Sequence, residues 1–374
     1  MALTLLEPNS LNFAGNPIVL KATTDKSLST DESMLRIVCS IHFEKVGESS
    51  MQFSDELSQS VENSGTAVFN LSDIASTIIK RIHAEMDMNS GSAFNDIGLQ
   101  GIAVCKEVWV KDGAEKEGDS VSSSVISVVP GAFTDFELIV KNDIDLVGIT
   151  SSEPQRMTRK PDPGIIYKGE TVILPMLSYS ESRGTYYVSV NSDIVNEGSY
   201  VIKGSCLDYV LSTVNAGFEG DLLVHLSKVG PWTGGYYRTN TSDVHFLRFI
   251  NGFGAVENIS VRSKSKLSYE VSGDTHSLVQ GISVRPSDRR YATKSQPVGV
   301  YELSSGYVPK RWAEWYVQEL LTSPRVWIQV GEKWIPALIE AEDDCVIYDR
   351  SKPEMPHVDF TLRLAIDGVT GVVW

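Results

Sequence analysis

The histidines are the residues of this sequence whose chemistry suits transition-metal binding or general base catalysis. The six of them are His42, His83, His225, His245, His276 and His357. None is followed at i+2 or i+4 by another histidine or a cysteine, the spacing that places two ligands on one strand or one helix face. Asp243, His225 and His245 could meet in space. The spacing otherwise favours hydrogen-bonded or exposed histidines, and the sequence predicts no metal site.

Other catalytic and cofactor-binding patterns are missing as well. The sequence contains no G-x-S-x-G nucleophile elbow, no phosphate-binding P-loop and no G-x-G-x-x-G. The run Glu342-Asp343-Asp344 lacks the D-x-D-x-D-G spacing of calcium loops. Gly252-Phe253-Gly254 is typical of a turn in which glycine supplies a positive φ. We therefore expect no catalytic residue, no cofactor and no metal, and the protein is predicted not to be an enzyme.

The segment at residues 230–238 is the candidate for ligand binding. It reads GPWTGGYYR and brings together Trp232, Tyr236, Tyr237 and Arg238. Aromatic faces beside a guanidinium group suit sugar rings or a protein partner. The segment is the best candidate for a binding loop, but the interpretation we favour is a hairpin tip whose aromatic residues pack internally. A carbohydrate- or receptor-binding module, with a host surface glycan as partner, is therefore an alternative function.

Short strands separated by turn residues run through the whole chain. A period of two in apolar residues, as in Leu35, Ile37, Cys39, Ile41 and Phe43, predicts strands with one buried face. Further strands are predicted, among others, at 136–140, 171–177, 199–202, 259–261 and 266–271. The fold class is therefore mainly β, with two or three β-sandwich-like domains and a few short helices. We expect an N-terminal β-sandwich with one covering helix at 1–131, a middle β domain at 132–245 and a C-terminal β domain with a Trp-rich helix at 246–374.

Two helices are predicted within this β-rich chain. One follows from apolar residues at three- and four-residue steps between Leu71 and Met86, with Asn70 or Ser72 as its N-cap. The other, over 310–321, begins after Pro309 and places Trp312 and Trp315 on one side. In the middle unit, the proline-rich stretch at 151–164 is predicted to be a loop or arm, because proline removes the donors that a strand needs.

Charge is distributed unevenly along the sequence. Residues 1–150 contain 22 acidic and 10 basic residues, whereas residues 261–312 contain nine basic and four acidic residues. An overall net charge of −15 argues against non-specific nucleic-acid binding. The asymmetry permits head-to-tail contact between copies, although the favoured interpretation is a solvated scatter of charges. The candidate subunit-interface residues are Arg285, Arg289 and Arg290 in the basic stretch and Arg156 and Arg159 in the proline-rich arm.

The remaining features concern compartment and redox state. The N-terminus shows no secretory signal, and no apolar run is long enough to span a membrane. The four cysteines, Cys39, Cys105, Cys206 and Cys345, include no C-x-x-C pair. Cys39 and Cys105 lie in apolar strand runs, where a thiol is usually a small core residue. We expect reduced thiols and synthesis in the cytoplasm.

Three stretches of the C-terminal third carry a resemblance to a known group of proteins. They are FINGFGAVE at 249–257, EWYVQELLTSPRVW at 314–327 and FTLRLA at 360–365. Together with NFAGNPI at 12–18, they resemble tail-associated (tail tip or baseplate) structural proteins of Bacteroides-type phages and prophages. The resemblance implies a β-rich virion subunit that forms a homo-oligomeric ring and docks to other tail proteins. It supplies no catalytic residues, so a glycan- or peptidoglycan-degrading enzyme ranks last among the hypotheses.

Overall fold

The computed structural model describes residues 3–61, 65–89, 96–134, 154–161, 164–167, 170–213, 220–228, 230–238, 244–272, 275–277, 290–292, 296–341 and 355–365. Within these residues the chain is mainly β-strand, arranged in several sheets with two short helical regions. The predicted fold class is confirmed. No helix among the described residues has the length and apolar character to cross a membrane.

Nine strands build the first unit. β1 to β9 span Thr4–Leu6, Leu11–Phe13, Val19–Thr23, Glu32–Lys45, Glu48–Ser60, Thr66–Asn70, Leu99–Lys111, Ala114–Ser122 and Ile126–Val129. One sheet has the order β1-β3-β6, and the other has the order β2-β9-β7-β4-β5 with β8 also paired to β7. Ile37, Cys39, Ile41 and Phe43 of β4 are at most 1% exposed, which confirms the predicted inward face of that strand.

Helix α1 (Ser72–Glu85) covers this unit, as the apolar spacing predicts. Ile78, Ile79 and Ile82 are buried on its inner side. The predicted N-caps are wrong by one residue, because the cap position is Leu71, which makes no side-chain capping bond. The Asn70 carboxamide oxygen instead accepts a hydrogen bond from the backbone N–H of Ser72 at 3.2 Å. Asn70 thus satisfies a first-turn donor from just outside the helix.

Eight strands form the middle unit. β10 to β17 span Gln155–Arg156, Gly164–Tyr167, Thr171–Leu177, Ser182–Val190, Asp193–Ile202, Leu207–Thr213, Gly220–Leu226 and Gly230–Arg238. They form a three-stranded sheet of order β10-β12-β15 and a five-stranded sheet of order β11-β17-β16-β13-β14. The predicted strand at 171–177 is confirmed, and the predicted strand at 199–202 is the end of the longer β14. The predicted strand at 136–140 lies outside the described residues.

The proline-rich arm is in part a strand. Its residues Gln155 and Arg156 form β10, which pairs antiparallel with Leu177 and Met176 of β12. Met157, which follows, is 4% exposed. The described part of the arm therefore packs against the body of the protein.

The C-terminal unit is a closed six-stranded barrel. β18 to β25 span Val244–Ile250, Val256–Ser272, Thr275–Ser277, Arg290–Ala292, Gln296–Ser304, Val326–Val330, Lys333–Ala341 and Asp359–Leu364. The barrel order is β18-β19-β22-β25-β24-β23, and β20 pairs with β21 apart from it. The two strands predicted at 259–261 and 266–271 are one strand, β19.

The predicted Trp-rich helix packs into this barrel. It is an α-helix, α2, over Lys310–Trp315, and it continues as a π-helical turn over Tyr316–Leu320. Trp312, Trp315, Tyr316 and Leu320 are buried in the barrel's hydrophobic cluster. These residues are core, as their spacing along one helix side indicates.

Each described sheet is built of strands from a single one of the three predicted units. The unit boundaries near residues 131 and 245 stay predictions. The hydrophobic clusters are less separate. The cluster of the first unit also contains Met157, Leu207 and Tyr209 from the middle unit and Phe253 and Trp327 from the barrel. The three units therefore pack on one another, around the turn between β18 and β19.

Candidate functional site at a three-way junction

One buried side chain organises the turn between β18 and β19. The Asn251 carboxamide oxygen accepts hydrogen bonds from the backbone N–H groups of Phe253 at 3.0 Å and Ala255 at 2.9 Å. Asn251 is 4% exposed, so these bonds are shielded from water. Gly254 has a φ of 69°, which confirms the predicted positive-φ glycine in this turn. The turn therefore has a fixed shape that presents Phe253 to the first unit.

Phe253 fills an aromatic pocket of the first unit. Its ring centroid lies 6.2 Å from that of Phe13 and 5.6 Å from that of Phe133, in edge-to-face or tilted geometry. Arg159 from the middle unit covers the same ring at 4.0 Å. The backbone N–H of Ala132 donates to the Gly252 carbonyl at 3.0 Å. All three units thus meet at Phe253.

An ion pair between a partly buried arginine and a buried glutamate lies directly beside this ring. The Arg159 guanidinium donates to the Glu319 carboxylate at 2.8 Å and to the Ala132 carbonyl at 3.0 Å. The other Glu319 carboxylate oxygen accepts the backbone N–H of Gly252 at 2.6 Å. Glu319 is 4% exposed and belongs to the π-helical turn. A Cβ at Gly252 would collide with Arg159, so the absence of a side chain allows this approach.

A second buried glutamate lies behind the turn. The Asn251 amide donates to the Glu257 carboxylate at 2.7 Å and to the Met157 carbonyl at 2.9 Å. Burial raises the pKa of Glu257 to about 7, although Thr158, Lys160 and Asn251 favour its ionised form. Glu257 therefore exchanges its proton near neutral pH.

A third glutamate joins the middle unit to the barrel. Glu170 accepts a hydrogen bond from the Ser260 hydroxyl and from the Tyr167 backbone N–H. Burial raises the pKa of Glu170, and the Lys160 ammonium opposes that rise. The Lys160 ammonium also donates to the Asn258 carbonyl at 3.0 Å.

The small cavity between Glu170 and Glu257 has a volume of about 20 Å³. The polar residues that line it are Thr158, Lys160, Glu170, Thr171, Glu257 and Asn258. This volume has room for about one water molecule. The pocket therefore suits hydration of the network and is too small for an organic substrate.

The barrel also binds the C-terminal end of α1. The Arg325 guanidinium donates to the carbonyls of His83 at 3.2 Å and Ala84 at 3.3 Å, where a cation complements the helix dipole. Arg248 donates to the Met88 carbonyl at 2.9 Å. Burial lowers the pKa of His83 to about 4, so its ring is neutral near neutral pH. The first unit is thus held at both the Phe253 pocket and the helix end.

A separate contact joins the first and middle units. Asp96, Cys206 and Asp208 place three metal-ligand atoms within 4.8 Å of one another. The Lys203 ammonium lies 2.5 Å from the Asp96 carboxylate and its backbone N–H donates to Asp208. Burial raises the pKa of Asp208 and of the Cys206 thiol. Because Lys203 already supplies the positive charge, the cluster is an ion-pair contact beside the Ile97–Leu207 bridge.

The predicted binding loop is a strand. Residues 230–238 form β17, which pairs antiparallel with β16 and parallel with β11. In this register Trp232 is opposite Val224, and Tyr236 and Tyr237 are opposite Ile165 and Ile166. The loop interpretation is wrong, because β16 pairs along residues 230–237 and β11 along residues 235–238 despite the segment's glycines. Binding through Trp232, Tyr236, Tyr237 and Arg238 stays a prediction.

The predicted interface arginines have different positions. Arg285 and Arg289 lie outside the described residues, as does the run Glu342-Asp343-Asp344. Arg290 starts β21, opposite Ser277 of β20. Arg156 is half-buried in β10. Arg159 contacts Ala132, Phe253 and Glu319 of its own chain, and a role of these arginines between subunits stays a prediction.

The junction glutamates are the residues that sequence reasoning missed. Glu319 follows Trp315 by four residues and Tyr316 by three, so it falls on the apolar side of its helix. Glu257 likewise directly follows the apolar pair Ala255-Val256. A carboxylate on an apolar face is a signal of a buried pair, but its partner, Arg159, is 160 residues away.

No protein-family model and no curated protein matches the chain. Some solved structures are similar at a low level. Invasin, a bacterial integrin-binding protein, matches 81% of this chain and 56% of its own chain, at 12% identity and a TM-score of 0.21. Salmonella alpha-2-macroglobulin reacted with methylamine matches 98% of this chain and 23% of its own, at 8% identity and a TM-score of 0.23. A mutated three-Ig fragment of titin matches 81% and 93%, at 12% identity and a TM-score of 0.19.

The chain thus spans about half the length of the invasin chain and about a quarter of the macroglobulin chain. Similarities at this level assign no family to it. The functional argument therefore starts from the chain's own residues.

Substitution of Gly254 tests the close packing of the turn. Gly254→Ala places a methyl group against Pro130 and 2.9 Å from the Gly131 backbone N. Gly331 is the matched control, since its φ of 62° is similar and nothing lies within 4 Å of an added Cβ. Both variants carry backbone strain of about 1 kcal/mol. We expect Gly254→Ala to lower the free energy of unfolding in urea by about 2 kcal/mol more than Gly331→Ala. Equal losses would contradict the packing described here.

Glu257 makes the stability depend on pH. Its folded pKa of about 7 lies above its ordinary value of 4.5, so the folded state holds the proton more tightly. The resulting stabilisation is complete below pH 4.5 and is lost as the pH rises through 7. Glu257→Gln removes this titration. We compare the free energy of unfolding of the wild type with that of Glu257→Gln at each pH. The wild-type value minus the variant value should fall by up to about 3 kcal/mol from pH 5 to pH 8.

Urea unfolding at several pH values measures this difference. Glu332→Gln, on an exposed hairpin turn, is the control for the loss of a carboxylate. Parallel pH profiles for the wild type and Glu257→Gln would contradict the assignment.

Proposed function

We propose that this chain is a structural subunit of a phage or phage-like tail, in the tail tip, the baseplate or an adaptor. It acts by oligomerising and by docking to other tail proteins, and the virion is its location. The observation that carries this proposal is the three-way junction. Its buried charged and aromatic side chains bind the three β units to one another.

The chemistry of the junction supports a structural role. Arg159 and a backbone N–H bind Glu319, Ser260 and a backbone N–H bind Glu170, and the Asn251 amide binds Glu257. The cavity between Glu170 and Glu257 has room for about one water molecule. Catalytic acids and bases need a substrate within hydrogen-bond reach. In this junction the same residue types instead fix how the units are oriented. A tail subunit needs such a fixed orientation because it must match its neighbours at defined angles.

The segments that resemble tail proteins are also the segments that build the junction. The stretch at 249–257 contains Asn251, Phe253 and Glu257, and the stretch at 314–327 contains Glu319 and Arg325. The resemblance therefore concerns residues that orient one unit against another. Such residues are expected to be similar if this chain and the tail proteins share an assembly role.

The described surface charges are compatible with head-to-tail association. Strand β8 of the first unit exposes Glu115, Glu117 and Asp119. Helix α2 of the barrel exposes Lys310 and Arg311. A heterologous contact between such opposite surfaces closes into a ring when the rotation per subunit permits.

Light scattering after size-exclusion chromatography tests this association. We expect an oligomer at about 50 mM salt that weakens at about 500 mM, where exposed charges are screened. Arg311→Glu should raise the dissociation constant roughly tenfold or more, because it places like charges together. Lys333→Glu, an equal charge change on the exposed β23–β24 hairpin, should leave it near the wild-type value. A monomer in both salts that also binds no co-expressed neighbouring tail protein would contradict the proposal.

A carbohydrate- or receptor-binding module is the second candidate. The observation that favours it is a pair of half-exposed stacked rings, Tyr187 and His225, with centroids 4.8 Å apart at 11°. This ring pair then offers a stacking surface for sugar rings.

A glycan array with the purified chain tests this second candidate. We expect binding that is reduced roughly tenfold by Tyr187→Ala, since an aromatic ring contact is worth about 0.5–1.5 kcal/mol. Tyr179→Ala, an exposed tyrosine in the turn before β13, is the control and should bind normally. Binding to no glycan, or equal binding by all three proteins, would exclude this stacking surface.

A further inference from the structure

Two cysteines face each other across interior strands of the first unit. Cys39 of β4 is the direct partner of Cys105 of β7 in the antiparallel register. Both are 0% exposed, and both are free thiols. Each strand has a neighbour on its other side, so the pair lies inside the sheet and not at its edge.

The geometry of this pair suits a covalent bond. Directly opposite residues on antiparallel strands have Cα atoms about 4.5–5.5 Å apart. Disulfides join Cα atoms about 4.4–6.8 Å apart. The interaction between the two thiols lowers the pKa of Cys39 and raises the pKa of Cys105. The two side chains are therefore neighbours on one face of the sheet, and bond formation needs little backbone movement.

We propose that Cys39 and Cys105 are a cross-strand disulfide site, oxidised by a low-molecular-weight disulfide such as oxidised glutathione. The Cys39 thiolate attacks one oxidant sulfur, which breaks the oxidant's S–S bond and releases one thiolate. Cys105, once deprotonated, attacks the Cys39 sulfur and releases the second thiolate. The two protons pass to the two released thiolates. One oxidant disulfide and two protein thiols thus become one protein disulfide and two small thiols.

Burial decides when this reaction takes place. Because neither sulfur is exposed in the folded chain, a soluble oxidant reaches them only when the sheet is open. A chain folded under reducing conditions therefore stays reduced, and a chain folded under oxidising conditions keeps the bond. The closed loop contains β5, β6 and α1, so the bond restricts the unfolded state of much of the first unit. This inference does not depend on the proposed function.

The third described cysteine provides a comparison within the same chain. Cys206 is equally buried, but it lies beside Asp208 and near Lys203 at the contact between the first and middle units. The nearby carboxylate raises the pKa of its thiol further than burial alone. Cys345 lies outside the described residues. Any linkage that involves these two cysteines is an alternative outcome of the test.

Refolding of the whole chain under defined redox conditions tests the proposal. The chain is reduced and unfolded in urea, then refolded either with mixed oxidised and reduced glutathione or with dithiothreitol. We expect mass spectrometry of a non-reduced digest to show peptides linked through Cys39 and Cys105 only after the glutathione refolding. The thermal midpoint of the oxidised form should exceed that of the reduced form by about 5 °C. Cys105→Val should abolish this difference, and Cys206→Ser should preserve it.

The main comparison is between the oxidised and reduced forms of the wild-type chain. The result therefore does not depend on whether either cysteine variant folds. Linkage only through Cys206 or Cys345, glutathione adducts without a protein disulfide, or no linkage would each overturn the proposal. An equal or lower thermal midpoint for a correctly linked chain would overturn the stabilising role.

Discussion

Buried carboxylates that are hydrogen-bonded from a neighbouring unit are the constraint on which the arrangement of this chain depends. Glu319 of the barrel is paired with Arg159 of the middle unit, and Glu170 of the middle unit is hydrogen-bonded to Ser260 of the barrel. An arrangement that kept Glu319 buried without Arg159 would cost about 3–5 kcal/mol, so this contact favours one arrangement strongly over others.

Apolar packing and steric fit act together with these charges. Phe253 contributes apolar area between Phe13 and Phe133, and non-directional burial of this kind tolerates several orientations. Close backbone contact at Gly131 and Gly254 restricts the possible orientations of the units. A Cβ at Gly131 would overlap Phe253, and a Cβ at Gly254 would overlap Pro130. The charged network then selects among the remaining orientations. In some proteins buried polar networks supply such specificity at little net gain in stability.

The sequence predicts the elements better than the way they meet. Local periodicity suffices for β4, α1 and α2, since one face of each is buried against the same unit. It fails for β17, whose glycines indicate a loop but whose backbone is paired on both sides. It also fails to join the two halves of β19. Barrel closure depends on pairing between β18 and β23, whose residues are about 80 positions apart, and no local pattern specifies that register.

The candidate site was partly visible in the sequence and partly not. The turn at Gly252-Phe253-Gly254 and the positive φ of Gly254 follow from residue types alone. The partner of each buried glutamate does not, because Arg159 lies in a proline-rich arm that reads as exposed. Its charge suggested contact with another subunit, whereas the structure shows it bonded to Glu319 and Ala132 of the same chain. The prediction for Arg159 failed because composition and residue spacing do not show which distant residues come together in the folded chain.

Native-state hydrogen exchange at the turn tests the central claim most directly. The backbone N–H groups of Gly252, Phe253 and Ala255 donate to the side chains of Glu319 and Asn251 within the junction. If the junction holds the three units together, these amides should exchange only through global unfolding, as slowly as the innermost amides of β4 and β18. Exchange that is orders of magnitude faster, while those core strands stay protected, would show that the units separate independently and would contradict the account.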